Sequence, residues 1–151
     1  MPARILAIDF GLRRIGLAVS DALGITAQGL PTLQRTATRK DIEYIRAVAE
    51  EYNVGKIIVG NPIGHAGTPT SMSRHAEAFA KKLQGRLVCP VELWDERLTS
   101  VEANRMLRSA GLSINKRRQT VDRVAAALLL QNYLDCHANE LERAGPNEGS
   151  L

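Results

Sequence analysis

Hydrophobic and polar positions along this chain follow two periods in turn. Arg4 to Asp9 holds an almost unbroken apolar run, Ile5-Leu6-Ala7-Ile8, which predicts a strand covered on both faces and ending on a carboxylate. Gly11 and the basic pair Arg13-Arg14 predict a tight hairpin into a second strand, Ile15 to Val19, running toward Ser20-Asp21. Thr26 to Leu33 makes a third strand, and Gly29 and Pro31 suit it to a sheet edge. The period then lengthens. Thr38 as N-cap, Asp41 at N3, and Ile42, Ile45, Val48 and Ala49 at helical spacing predict a helix running to Tyr52. Lys56 to Gly60 returns to a short buried strand, broken by Gly60 and Pro62, and a loop follows through Gly64, Gly67, Pro69 and Thr70.

A second helix is expected from Ser71 or Ser73, turning Ala76, Phe79, Ala80 and Leu83 inward until Gly85. Pro90 precedes a strand from Val91 to Asp95 or Glu96, and a helix over Ser100 to Leu107 stops near Gly111. Thr120 caps the last helix, in which Val121, Val124, Ala125 and Leu128, with Leu129 as a further candidate, face the sheet, while Ala126 and Ala127 keep the helix thin. Hairpin-joined strands first and helix-separated strands afterwards imply an α/β fold with a mixed five-stranded sheet flanked by helices. A length of 151 residues suits one core, expected over residues 1–138, with a frayed tail over 139–151.

Composition narrows the function classes. At 44% hydrophobic and 24% charged residues the chain reads as an ordinary soluble domain. Its longest apolar run, Val124 to Leu130, is far short of the ~20 residues of a bilayer span, and no secretory leader is visible, so a cytoplasmic protein without a membrane partner is expected. Twenty Lys and Arg against 16 Asp and Glu leave a net charge of +4, which tilts toward an anionic partner such as nucleic acid. Aromatics are only 4% of residues, too few for a base-stacking platform, and Trp94 and Phe10 are assigned to the core. Cys89 and Cys136 fit no zinc spacing and read as reduced structural thiols.

Chemistry is concentrated in three carboxylates at element ends. Asp9 closes the first strand, Glu96 the last strand, and Asp122 stands in the first turn of the final helix. Two divalent cations about 3.5–4 Å apart across a scissile phosphate require such convergence from separate elements. Each acid also has a plainer reading: Asp9 could shape the hairpin, and Asp122 could complement a helix dipole. Asp95 and Glu96 point to opposite faces of a regular strand, so one enters the cleft; Glu96 is preferred, and a bulge would admit Asp95. Arg97 could hold a phosphate or pair with a local acid. Between Arg97 and Arg123 the basic residues Arg105, Arg108, Lys116, Arg117 and Arg118 outnumber Glu102 and Asp122, and Arg13 and Arg14 extend the same positive rim. The glycine loop from Gly60 to Thr68 lacks a P-loop ending, His65 reads as a surface residue, and no nucleophile elbow or cysteine–histidine pairing is present.

These residues fall into four ordered motifs. They are Ala7-Ile8-Asp9-Phe10-Gly11 with Arg14-Ile15-Gly16-Leu17-Ala18 and Ser20-Asp21; Ile58-Val59-Gly60-Asn61-Pro62 with Gly67; Asp95-Glu96-Arg97-Leu98-Thr99-Ser100-Val101-Glu102-Ala103; and Val121-Asp122-Arg123-Val124-Ala125-Ala126. Together they resemble the YqgF (RuvX) family over nearly the whole chain, to about Tyr133. The resemblance implies a ribonuclease-H-like fold and a metal-dependent nuclease, acting on the 5′ end of pre-16S ribosomal RNA or, like a Holliday-junction resolvase, on branched DNA. It points to Asp9, to Asp95-Glu96-Arg97 and to Asp122. The glycine loop departs from the family pattern: Asn61 stands where Leu is frequent, and Ala66 where an Asp precedes the last Gly.

The resulting expectation is a single-domain nuclease whose Asp9, Glu96 and Asp122 bind Mg²⁺ or Mn²⁺. Arg13, Arg14, Arg97, Lys116, Arg117, Arg118 and Arg123 are expected to contact structured RNA or branched DNA, with the protein a monomer or a homodimer. Two rivals stand beside it. One is a noncatalytic nucleic-acid-binding module of the same fold. The other, half of an actin-like or sugar-kinase-like ATPase, is disfavoured because such enzymes close two domains around a nucleotide.

Overall fold

The computed structural model describes residues 3–62, 70–95 and 123–138. Five strands run β1 (Arg4–Phe10), β2 (Arg14–Ser20), β3 (Ala27–Gln34), β4 (Val54–Asn61) and β5 (Val91–Asp95). Helix α1 (Thr38–Glu51) joins β3 to β4, α2 (Ser71–Gln84) lies between β4 and β5, and α3 covers residues 123–138. The sheet order is β3-β2-β1-β4-β5, with β1, β2 and β3 antiparallel and β4 and β5 parallel to β1. This is the expected mixed five-stranded sheet, with β1 central and β3 at an edge. The predicted helix over Ser100 to Leu107 lies outside the described residues, as do the cap at Thr120, the tail and most of the glycine loop, His65 included.

Strand alternation sorts the core into two layers. Leu6, Ile8 and Phe10 of β1, Ile15, Leu17 and Val19 of β2, and Ile57 and Val59 of β4 pack against α1 and α2 through Ile42, Ile45, Phe79 and Leu83. Ala7, Ala18 and Ile58 occupy the other face, under Ala126, Leu129, Leu130, Tyr133 and Leu134 of α3. Phe10 is a core residue, 4.7 Å from Phe79 between ring centroids. Trp94 is half-buried, edge-on to Tyr133, and its Nε1 donates to Asn132 Oδ1 at 3.0 Å.

Two local expectations need correction. Thr38 is not the N-cap of α1: the cap is Ala37, which makes no side-chain hydrogen bond. Asp41 is buried instead, accepting from Arg35 Nε at 3.0 Å and from the Thr36 amide at 3.2 Å, while Thr38 Oγ1 accepts from Arg35 Nη2. Arg35 in turn lies over the Phe10 ring at 4.8 Å, so one buried ion pair sets how the chain enters α1. Helix α2 begins at Ser71, as expected, and Thr70, the last residue of the loop before it, caps it: the Ser73 amide donates to Thr70 Oγ1, and the Thr70 amide donates to Ser73 Oγ. The sheet-facing stripe of α3 is Ala126, Leu129, Leu130, Tyr133 and Leu134, with Ala125 also buried; Val124 and Leu128 are only half-buried. Small Ala126 fits over Ala7 and Ala18, where larger side chains would hold the helix off.

Helix α3 also holds the edge strand. Gln131 Oε1 accepts from the Ala27 amide at 3.0 Å, and Gln131 Nε2 donates to the Ile25 carbonyl at 2.9 Å. Arg123 Nε donates to the Leu30 carbonyl at 3.2 Å. Gly29 makes this possible, since a Cβ there would meet Arg123 Cγ at 2.5 Å. The exposed backbone of an edge strand, an invitation to foreign pairing, is thereby partly satisfied within the chain. Both cysteines are free thiols; burial raises the pKa of Cys89.

Candidate active site at the end of the central strand

Asp9 stands one residue from the end of β1, half-buried, on a strand with neighbours on both sides. It shares the parity of Ile5 and Ala7, which pack toward α3, so Asp9 belongs to that face. Gly16 of β2 lies directly across from it. On the other side Ile8 pairs with Val59, which makes Gly60 the next position of β4, and Gly60 pairs with Trp94 of β5. A row Gly16-Asp9-Gly60-Trp94 therefore crosses the sheet at one level. The positions level with Asp9 on the two neighbouring strands are thus both glycines, and both are buried.

The hairpin above Asp9 is closely wound. A Cβ at Gly11 would sit 2.5 Å from the Arg14 carbonyl oxygen, so any larger residue forces the turn open. Arg14 begins β2 with the parity of Gly16 and is thus on the Asp9 face; Arg13, in the turn, is exposed and accepts through its carbonyl from the Arg35 amide at 2.9 Å. Arg123 lies along β3 with one of its five donors on Leu30.

The remaining predicted site residues divide clearly. Asp95 has the parity of Val91 and Leu93, which pack toward α1 and α2, and so lies on the face opposite Asp9. Glu96, Arg97, Lys116, Arg117, Arg118 and Asp122 lie outside the described residues. Among the described residues no three His, Cys, Asp or Glu side chains gather as a metal site. At the end of β4 the Asn61 Oδ1 atom is buried, with no hydrogen-bond partner among the described residues. Sequence reasoning missed the glycines beside Asp9; the signal was present in Ile15-Gly16-Leu17 and Val59-Gly60-Asn61, each an isolated glycine within a strand.

The sheet order and the acid on its central strand define a class, that of ribonuclease-H-like folds. RuvC of T. thermophilus, solved in complex with a Holliday junction substrate, shares the fold at 14% identity over 91% of this chain and 96% of that one, with a TM-score of 0.58. The fowlpox virus resolvase, solved with Holliday junction DNA, does so at 15% identity over 88% and 97%, with a TM-score of 0.52. The chain belongs to the RuvX family, described as Holliday junction resolvase, which it matches over residues 3–136. A protein of Koribacter versatilis is 52% identical over 87% of this chain and 86% of its own length, and one of Thermoanaerobacter pseudethanolicus is 44% identical over 91% and 99%. Both carry the name "Putative pre-16S rRNA nuclease".

Proposed function

We propose that this protein is a cytoplasmic metal-dependent nuclease that processes the 5′ end of pre-16S ribosomal RNA. The observation that carries the reading is Asp9, an acid on the central strand, bracketed by glycines, on the face covered by α3. Family membership and the names of close relatives support the nuclease class and the RNA substrate.

Asp9, Glu96 and Asp122 would hold the metal. Three carboxylates form a hard-oxygen donor set that fits Mg²⁺ or Mn²⁺ and suits zinc or copper poorly. The half-burial of Asp9 at the end of the central strand is consistent with a carboxylate within reach of a ligand. Divalent ions bound there would supply an activated water and stabilise the leaving oxygen, in a two-metal arrangement. The chain's own part is to orient these acids from separate elements. Asp95, on the other face, is a poor partner for Asp9, which favours Glu96, the residue after it. Arg13 and Arg14 flank Asp9 on the hairpin side, and with Arg97, Lys116, Arg117, Arg118 and Arg123 would neutralise backbone phosphates.

Resolution of branched DNA is the second reading, favoured by the family description and by the fold shared with RuvC. Symmetric resolution calls for a homodimer, whereas trimming one RNA end needs only a monomer. Asp9→Asn separates chemistry from binding. With Mg²⁺ or Mn²⁺ present, cleavage of a pre-16S leader RNA is expected to fall at least ~100-fold while the protein stays folded. Full activity in folded Asp9→Asn would overturn the assignment, and faster cleavage of a four-way junction than of the RNA by the wild type would favour the second reading.

A further inference from the structure

The face of the sheet turned away from Asp9 has a cavity of about 380 Å³ between the start of α1 and the end of α2. Thr38, Arg39, Ile42, Lys82, Gly85 and Arg86 line it. Among these described residues three are cations and none is an acid. Arg39, Lys82 and Arg86 are exposed, and none of them forms an ion pair among the described residues. Asp41, one turn on from Thr38, cannot neutralise them: it is buried and committed to Arg35 and the Thr36 amide. Glu43, one turn on from Arg39, is exposed and makes no bridge to it. Three converging positive charges without a partner repel one another, and an anion between them relieves that repulsion.

Two further features fix the kind of anion. Thr38 and Arg39 belong to the first turn of α1, whose amides have no side-chain cap, because Ala37 precedes them. The buried Ile42 is its apolar member, and none of the described lining residues is aromatic, so they read charge and offer no ring for stacking a base. It is also joined to the candidate active site. The Arg35 amide donates to the Arg13 carbonyl in the Asp9 hairpin, and the Arg35 guanidinium covers Phe10. The Arg35 backbone thus ties the chain entering α1 to the hairpin that follows Asp9, while its guanidinium is neutralised by Asp41.

We propose that the α1–α2 cavity is a phosphate site that grips the backbone of the nucleic-acid substrate at a distance from the scissile bond. This rests on the nuclease reading above and adds to it a second, sequence-independent contact, so that substrates long enough to reach both places bind more tightly than short ones.

The test is a salt titration of binding, followed by fluorescence anisotropy with a labelled leader RNA in EDTA, where cleavage does not occur. Arg39→Ala/Lys82→Ala/Arg86→Ala is expected to weaken binding at least ~10-fold and to reduce the slope of log affinity against log salt by about 2 to 3, as expected for losing three phosphate contacts. Its kcat on a short, saturating substrate should match the wild type. Arg39→Lys/Arg86→Lys, which keeps the charge, should retain the wild-type slope. Unchanged affinity and slope in the folded triple variant would overturn the proposal, and so would a loss of affinity at unchanged slope, which would reflect altered shape. If the wild type bound no nucleic acid at all, the nuclease reading would fall first, an outcome distinct from either.

Discussion

The two faces of this sheet are built from the same strands and have opposite textures. Toward α1 and α2, β1 and β2 present Leu6, Ile8, Phe10, Ile15, Leu17 and Val19, branched or aromatic side chains that fill a thick core. Toward α3 the alternate positions of those strands are Ile5, Ala7 and Asp9 and Arg14, Gly16, Ala18 and Ser20, small or polar apart from Ile5. Large apolar side chains give stability, roughly 1.5–3 kcal/mol for each one fully buried. Small ones give close approach, letting α3 and its Ala126 settle against the backbone over Ala7 and Ala18. One strand of period two can therefore carry stability on its even positions and chemistry on its odd ones, and substitutions on the two faces should fail in different ways.

The largest stability effect should come from the thick face. Phe79 is 3% exposed and packs on Phe10, so Phe79→Ala should cost about 3–5 kcal/mol. In a chain of this size that lowers Tm by roughly 10 °C, measurable by thermal melting. Cleavage at a temperature where the variant is still folded should stay near wild type. A selective loss of activity at full folding would mean that the two faces are not separable. Arg35→Ala should follow closely, at about 3 kcal/mol, because it strands the buried Asp41 carboxylate.

The thin face should respond to added bulk more than to lost bulk. Ala126→Leu inserts methylenes where no space exists, for about 1–3 kcal/mol of destabilisation by urea titration. Unlike Phe79→Ala, it should also slow cleavage in the folded protein, since Asp122 stands only four residues ahead of it in the sequence. Gly29→Ala tests the same idea at the edge strand: its Cβ would displace Arg123 from Leu30, with a smaller cost of about 1 kcal/mol, that of one hydrogen bond. If Ala126→Leu melted early yet cleaved at the wild-type rate, the link between this face and the chemistry would be broken.

How far the sequence disclosed this division depends on the range of the interactions. The five strands were readable because each is a short apolar run bounded by Gly, Pro or charge, and the edge position of β3 followed from Gly29 and Pro31. Thr38 looked like a cap because its local pattern fits one; Asp41 was drawn instead to Arg35, held in place by Phe10 and Phe79, and no local pattern encodes that meeting. The α3 stripe holds at Ala125 and Leu129 but not at Val124 and Leu128, for a related reason. Val124 and Leu128 are more hydrophobic than Ala126, but the tight fit to Ala7 and Ala18 rewards the smaller residue. Asp9 stood out because a carboxylate ending a buried run is costly without a purpose. Its glycine neighbours did not, because register joins them across the fold and not along the chain. Arg39, Lys82 and Arg86 were scattered charges until the helices brought them to one cavity.

The smallest expected effect contrasts two aspartates near strand ends. Asp21 follows β2 as Asp9 nearly ends β1, but it lies at the opposite end of the sheet, where its carboxylate organises a turn. Asp21 Oδ1 accepts from the Ile25 amide at 2.8 Å and from the Thr26 amide at 3.3 Å, and the Asp21 carbonyl accepts from Gly24, which has a φ of 71°. Those bonds, that from Ile25 foremost, hold the Asp21 pKa below its ordinary value of 3.8. A depressed folded-state pKa stabilises the fold above the unfolded value, and the contribution disappears as pH falls through the folded one. Asp21→Asn should therefore have a lower urea midpoint than the wild type at pH 7, with the gap narrowing only below about pH 3.8. Cleavage at pH 7 should be unaffected, whereas Asp9→Asn should lose it with little change in midpoint. A constant gap across the acid range would show that Asp21 acts through shape alone, without its charge.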